Sequence, residues 1–215
     1  MKNRYDIAFL HTGQVHIETF QSLIHELAPD LHVYHAVNEH LLLHAQKFGV
    51  DKTLYSQTAD ILLKLSCQSE LTVCTCSSIG AIAEQVAQQY HKKIIRIDRP
   101  MADKAVQYRH ILVLAALEST LEPTRSLLEA SAKSTSKPVK IDYQVVKHAW
   151  PYFVAGDTRT YNRLIKEVIK KEADHYDVIV LAQASMAGAA SAPITQTPIL
   201  SSPRLGVQAA IKSAI

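Results

Sequence analysis

A chain of 215 residues, 47% apolar and 20% charged, is long enough for one large domain or two compact lobes with a substantial core. Its net charge of +3 is small and its basic residues are scattered, as in Lys92-Lys93 and Lys170-Lys171, which reads as solvated surface and argues against a nucleic-acid partner. No apolar run reaches the roughly 18 residues that span a bilayer, and three cysteines do not make a disulfide framework.

Asp6 and His11 interrupt or follow a short strand-like run, so no cleavable signal pattern is expected at the N-terminus. A reducing cytoplasm, with at least one thiol kept free, is the expected location, with no membrane partner.

Along the chain, strand and helix patterns alternate. Tyr5 to His11 reads as a first strand. Phe20, Leu23, Ile24 and Leu27 then lie on one face of a helix that Pro29 ends. Leu31, Val33, His35 and Val37 alternate like a half-buried strand, and Leu54, Ile61, Leu62 and Leu65 mark a second helix. A strand runs through Leu71-Thr72-Val73-Cys74-Thr75-Cys76, followed by a helix with Ile79, Ile82, Ala83 and Val86 on its inner face. Lys93 to Ile97 is the next strand, and Asp98-Arg99-Pro100 breaks the pattern.

The order then begins again. Ile111 to Ala115 reads as a strand, Pro123 suits a first helical turn, and Leu127 and Leu128 continue that helix. Ser131 to Pro138 reads as a polar loop and Ile141 to Val146 as a strand. Asp157 is placed to cap a helix whose inner face is Tyr161, Leu164, Ile165, Val168 and Ile169. A strand at Val178 to Gln183, a short one at Pro198 to Leu200 and a terminal helix opened by Ser202-Pro203 complete the chain. Alternation of this kind implies α/β structure with parallel sheets. The repeated order implies two similar lobes, residues 1–98 with 196–215 returning to them, and residues 99–195.

In parallel α/β sheets ligands collect at the carboxyl ends of strands. Four such ends carry small polar residues: His11-Thr12-Gly13, Thr75-Cys76-Ser77-Ser78, Ser119-Thr120, and Gln183-Ala184-Ser185. Their hydroxyls and backbone N–H groups suit a carboxylate or phosphate, although serine and threonine also serve simply as helix caps. Cys76 is the candidate reactive group, since a helix N-terminus lowers a thiol pKa towards neutrality. Cys74 would share its strand face at greater depth and fits a small core residue, while Cys67 near a helix end is expected to be inert. Without a second Cys/His cluster, no metal site is expected.

Three segments carry a family resemblance: Val-Cys-Thr-Cys-Ser-Ser-Ile-Gly at 73–80, Asp-Val-Ile-Val-Leu-Ala-Gln-Ala-Ser-Met at 177–186, and Pro-Ile-Leu-Ser-Ser-Pro-Arg-Leu-Gly-Val at 198–207. The chain resembles the aspartate/glutamate racemase superfamily, which also holds hydantoin racemases, maleate isomerases and arylmalonate decarboxylases. The resemblance implies two pseudo-symmetric, Rossmann-like α/β lobes with the active site in the cleft between them, no cofactor, and a small carboxylic acid as substrate. Relatives are often dimers, so a homodimer is the expected assembly, although no exposed apolar stripe marks an interface.

By position, the resemblance implies that Cys76 is the first-lobe acid/base, with Thr75, Ser77 and Ser78 holding the substrate carboxylate. It places Thr12, Gly13 and Thr120 at the other ligand-facing strand ends, where the strand pattern also sets His11 and Ser185. The chain departs from the two-cysteine pattern at Gln183, where an amide can bind or orient but cannot transfer a proton near neutral pH. Three readings stay open: a racemase or epimerase in which His11 or His148 supplies the second proton; a one-cysteine decarboxylase, cis-trans isomerase or lyase; and a pocket that binds a carboxylate without turnover.

Overall fold

The computed structural model describes residues 4–135, 138–191 and 194–214. They build two four-stranded sheets, every strand pair parallel. Each sheet belongs to its own compact unit, one formed by residues up to Asp98 and from Pro203 onward, the other by Arg99–Ser202.

In the first unit the strands β1 (Tyr5–His11), β2 (Val33–Val37), β3 (Ser69–Cys74) and β4 (Ile94–Arg96) are ordered β2-β1-β3-β4. Its helices are α1 (His16–Leu27), α2 (Glu39–Phe48), α3 (Lys52–Ser66) and α4 (Gly80–Tyr90). The core on one sheet face joins Ala8, Leu10 and Cys74 to Leu41, Leu54, Leu62, Ile82 and Val86 from the helices. β1 falls where the hydrophobic pattern places it. Asp51 caps α3 by accepting from the Leu54 N–H at 2.8 Å.

Helix α2 is absent from the periodicity reading because only Leu41 and Ala45 of its residues are buried. Its ends are nevertheless signalled: Asn38 accepts from the His40 N–H at 3.1 Å, and Gly49 takes φ 74° just past the last turn.

In the second unit β5 (His110–Ala115), β6 (Lys140–Val145), β7 (Val178–Leu181) and β8 (Ile199–Ser201) are ordered β6-β5-β7-β8, the same connectivity. They are accompanied by α5 (Arg99–Ala105), α6 (Leu121–Ala132), α7 (Trp150–Val154) and α8 (Thr158–Glu172). The break at Asp98-Arg99-Pro100 is instead the start of α5, whose first turn tolerates a proline because its N–H would be unpaired there anyway. Asp157 caps α8 as expected, accepting from the Thr160 N–H at 2.9 Å. The inner stripe of α8 is Tyr161, Ile165 and Ile169, with Leu164 and Val168 half-buried beside it. Of the loop expected over 131–138, Ser131 and Ala132 close α6, and residues 136–137 lie outside the described residues.

The expected lobe boundary at 196 is corrected. Ile199, Leu200 and Ser201 pair with Ile179, Val180 and Leu181, so this strand completes the second sheet and the changeover falls after Ser202. The terminal helix α9 (Ser202–Ala214) then packs with the first unit. Arg204 grips Glu26 of α1 through two hydrogen bonds of 2.9 and 2.6 Å. Gly206 lies so close to β4 that a Cβ there would sit 2.3 Å from the Ile97 carbonyl oxygen.

Candidate active site

Strand register gives Cys76 and Gln183 matching addresses in their two units. Leu10 of β1 lies beside Cys74 of β3, and Leu114 of β5 beside Leu181 of β7. Cys76 and Gln183 thus each lie two residues beyond their strand. Both are extended (φ −99°, ψ 120° and φ −121°, ψ 140°), and each opens a 3-10 turn, Ser77–Ile79 and Ala184–Ala190.

The Cys76 thiol is partly buried against the α3–α4 side of the first sheet. Donor groups lie near its sulfur, namely the Thr12 and Ser78 hydroxyls and the backbone N–H groups of Ser78 and Ile79, the last of which bonds the Cys76 carbonyl at 3.3 Å. Each of these donors favours a thiolate. Burial acts the other way and outweighs them, so the thiol lies above its ordinary value, which reverses the expectation of a pKa lowered towards neutrality. Cys76 is therefore a protonated thiol at neutral pH, already surrounded by the donors that would hold its conjugate base. That is the condition of a general acid.

Cys74 lies on the same face, fully buried, its thiol donating weakly to the Cys76 carbonyl at 3.7 Å. Burial pushes that thiol far up, and it acts as core. Cys67, at the end of α3, is exposed.

Thr12, Ser77 and Ser78 are all nearly buried around this turn, and Gly13 follows Thr12 with ordinary space around its Cα. His11 and Thr75 go elsewhere. Side chains alternate faces along an extended segment, so Leu10, Thr12, Cys74 and Cys76 share one face while His11 and Thr75 point to the other. There His11 Nδ1 meets the Thr75 hydroxyl at 2.9 Å and Nε2 meets His35 Nδ1 at 2.8 Å. Thr75 also donates to the Leu10 carbonyl at 3.0 Å. Burial, followed by the neighbouring His35 and His16, pushes the His11 pKa down to about 3. At neutral pH it is an uncharged imidazole with both nitrogens engaged, held away from the thiol. His148, the other histidine considered as a proton source, is exposed, with φ 63° just beyond β6.

In the second unit, Gln183 turns its side chain onto the segment just after β5. Its Oε1 accepts from the N–H of Ala116 at 2.6 Å and of Leu117 at 3.2 Å. Ser185 shares a 2.9 Å hydrogen bond with the Tyr161 hydroxyl, and burial keeps that phenol neutral by raising its pKa. Thr120 is buried in the turn after β5, its N–H bonded to the Leu117 carbonyl. Next to it, the Ser119 Oγ is buried with no hydrogen-bond partner. Nothing in their residue types marks Ala116 and Leu117 as contributors, because they act only through backbone N–H groups. The Tyr161 ring is core, as its place on the inner face of α8 predicts, and only its hydroxyl reaches Ser185.

Among the described residues no group of three or more His, Cys, Asp or Glu side chains is placed to hold a metal ion, and no helix is long and apolar enough to cross a membrane.

No protein-family model matches the chain, and no curated protein matches by sequence. Solved structures do. The chain is similar to a Picrophilus torridus aspartate racemase (TM-score 0.69, 15% identity, covering 97% of this chain and 93% of that one). It is similar to glutamate racemase RacE1 of Bacillus anthracis (TM-score 0.73, 14% identity, covering 99% and 82%). A variant of arylmalonate decarboxylase aligns with TM-score 0.64 and 15% identity over 97% of this chain and 92% of that one. At such identities the likeness shows the fold: this chain has the two-sheet α/β fold found in aspartate and glutamate racemases and in arylmalonate decarboxylase.

Proposed function

We propose that this protein is a cofactor-independent enzyme of the racemase/decarboxylase type, acting at the carbon α to a carboxylate of a small acid, with Cys76 as its proton-transfer group. The observation that carries this reading is the gathering of Thr12, Ser78 and Ile79 donor groups near a partly buried, protonated Cys76 thiol at a strand end. The likeness to enzymes of that type supports it.

One-sided proton delivery, as in a decarboxylase, isomerase or lyase, is favoured over racemisation. A racemase needs a second acid/base for the opposite face of the carbon. Gln183 has its oxygen bound by two N–H groups, and His11 is neutral and turned away. With a malonate-type substrate, the bond to one carboxylate breaks and carbon dioxide leaves. The electron pair stays on the α-carbon as an enediolate, which takes the Sγ proton, and the thiolate regains a proton from water. Free thiols at Cys67, Cys74 and Cys76 accord with a cytoplasmic location.

The test is turnover of malonate-type and chiral 2-substituted acids in D₂O. The expected product carries one deuterium at the α-carbon in a single configuration, and Cys76→Ser abolishes its formation. Racemic labelled product would establish a second acid/base and overturn the one-sided mechanism. Unchanged turnover in Cys76→Ser would remove Cys76 from the chemistry altogether.

A further inference from the structure

We propose that Gln183 is a specificity-determining residue, a contact that offers only hydrogen-bond donors and so selects a ligand oxygen and rejects an ammonium group. The proposal rests on the reading above, in which these strand ends hold the substrate.

A carboxamide has one accepting end and one donating end. Two consecutive backbone N–H groups, Ala116 and Leu117, point at the same end of Gln183, at 2.6 and 3.2 Å. Reversing the amide would set its NH₂ against two N–H donors, so chemistry fixes Oε1 inward and Nε2 outward. Gln183 is only 9% exposed, which makes both contacts costly to break. The described residues provide no acceptor for the two Nε2 hydrogens.

The result is a rigid pair of donors at the address that Cys76 holds in the other unit, with little rotamer entropy left to lose on binding. A carboxylate or carbonyl oxygen satisfies such a pair, and an ammonium group leaves it facing more donors. Ser185, next along this turn, and its partner Tyr161 of α8 contribute only neutral hydroxyls. Gln183 thus occupies a strand end where it cannot move a proton but can sort substrates by the polarity of one group.

Gln183→Glu separates these roles. One carboxylate oxygen still accepts from Ala116 and Leu117, preserving the lock, while the other replaces the outward NH₂ with a charged acceptor. The probe is malonate, followed by ¹H–¹⁵N NMR on the full chain. Malonate is expected to shift the Gln183 side-chain NH₂ signals. Gln183→Glu is expected to weaken malonate binding roughly tenfold or more, with an unfolding midpoint close to that of the parent.

Shifts elsewhere that leave the Gln183 NH₂ signals in place would overturn the proposal, as would equal malonate affinity in Gln183→Glu. A complete absence of shifts would overturn it too, because a dicarboxylate must reach Nε2. The enzyme reading is judged separately, by deuterium incorporation through Cys76, so the two failures cannot be confused.

Discussion

The hydroxyl of Thr12, just past β1, lies near the sulfur of Cys76 in the turn after β3, placed to favour the thiolate. Thr12 is nearly buried, so the contact is shielded from water. Valine at this position keeps the shape and removes the donor. Thr12→Val is expected to push the Cys76 thiol further above its ordinary value and slow its alkylation by iodoacetamide at every pH below the plateau. Mass spectrometry reads the rate, with exposed Cys67 as internal control. Equal rates in parent and variant would show that the hydroxyl does not act on the sulfur.

The buried histidines should make stability depend on pH. His11, His16 and His35 are all shifted downward, chiefly by burial, His11 to about 3. A group whose folded pKa is depressed binds protons more readily when unfolded. Its contribution is complete above the unfolded value near 6.5 and is lost as pH falls from there towards the folded value. Each such histidine adds a slope of up to about 1.4 kcal/mol per pH unit in that window. Urea unfolding at pH 7.5, 6 and 5 should show a falling midpoint, and His11→Gln should flatten the fall. A slope that survives His11→Gln unchanged would assign the effect to other groups.

Gly206 should tolerate no side chain. An added Cβ would lie 2.3 Å from the Ile97 carbonyl oxygen and 2.5 Å from its side chain, so α9 and β4 would have to separate. Gly206→Ala is expected to cost about 1–3 kcal/mol, visible as a drop in thermal midpoint of several degrees. Gly13→Ala is the control, since the nearest atom, on His16, would be at an ordinary 3.5 Å. Equal midpoints for the two variants would refute the packing argument.

The parts of this molecule that were readable from sequence are those set by neighbouring residues. The span of β1, the cap at Asp157 and the shared address of Cys76 and Gln183 all follow from local pattern and turn chemistry. The direction in which His11 and Thr75 point was not readable. β1 is covered on both faces, with Phe9 and Leu10 alike fully buried, so its hydrophobicity carries no record of which face a residue serves. The sign of the Cys76 shift was hidden because the helix-terminus effect is local, whereas the opposing burial comes from distant helices. The lock on Gln183 was invisible for a related reason: its partners are backbone groups just after β5, and every residue type but proline has that N–H.

The return of α9 to the first unit also bears on the order in which the chain can mature. The second unit is one continuous stretch, Arg99–Ser202, whereas the first must wait for the segment that begins at Pro203. As a ribosome releases the chain, the half that starts first is therefore the half that finishes last. Until α9 arrives, Ile97 just past β4 and the Glu26 carboxylate lack the partners that Gly206 and Arg204 later bring. The Cys76 turn belongs to that late-finishing half, so its thiol comes to rest in a completed scaffold only after the whole second unit has been made.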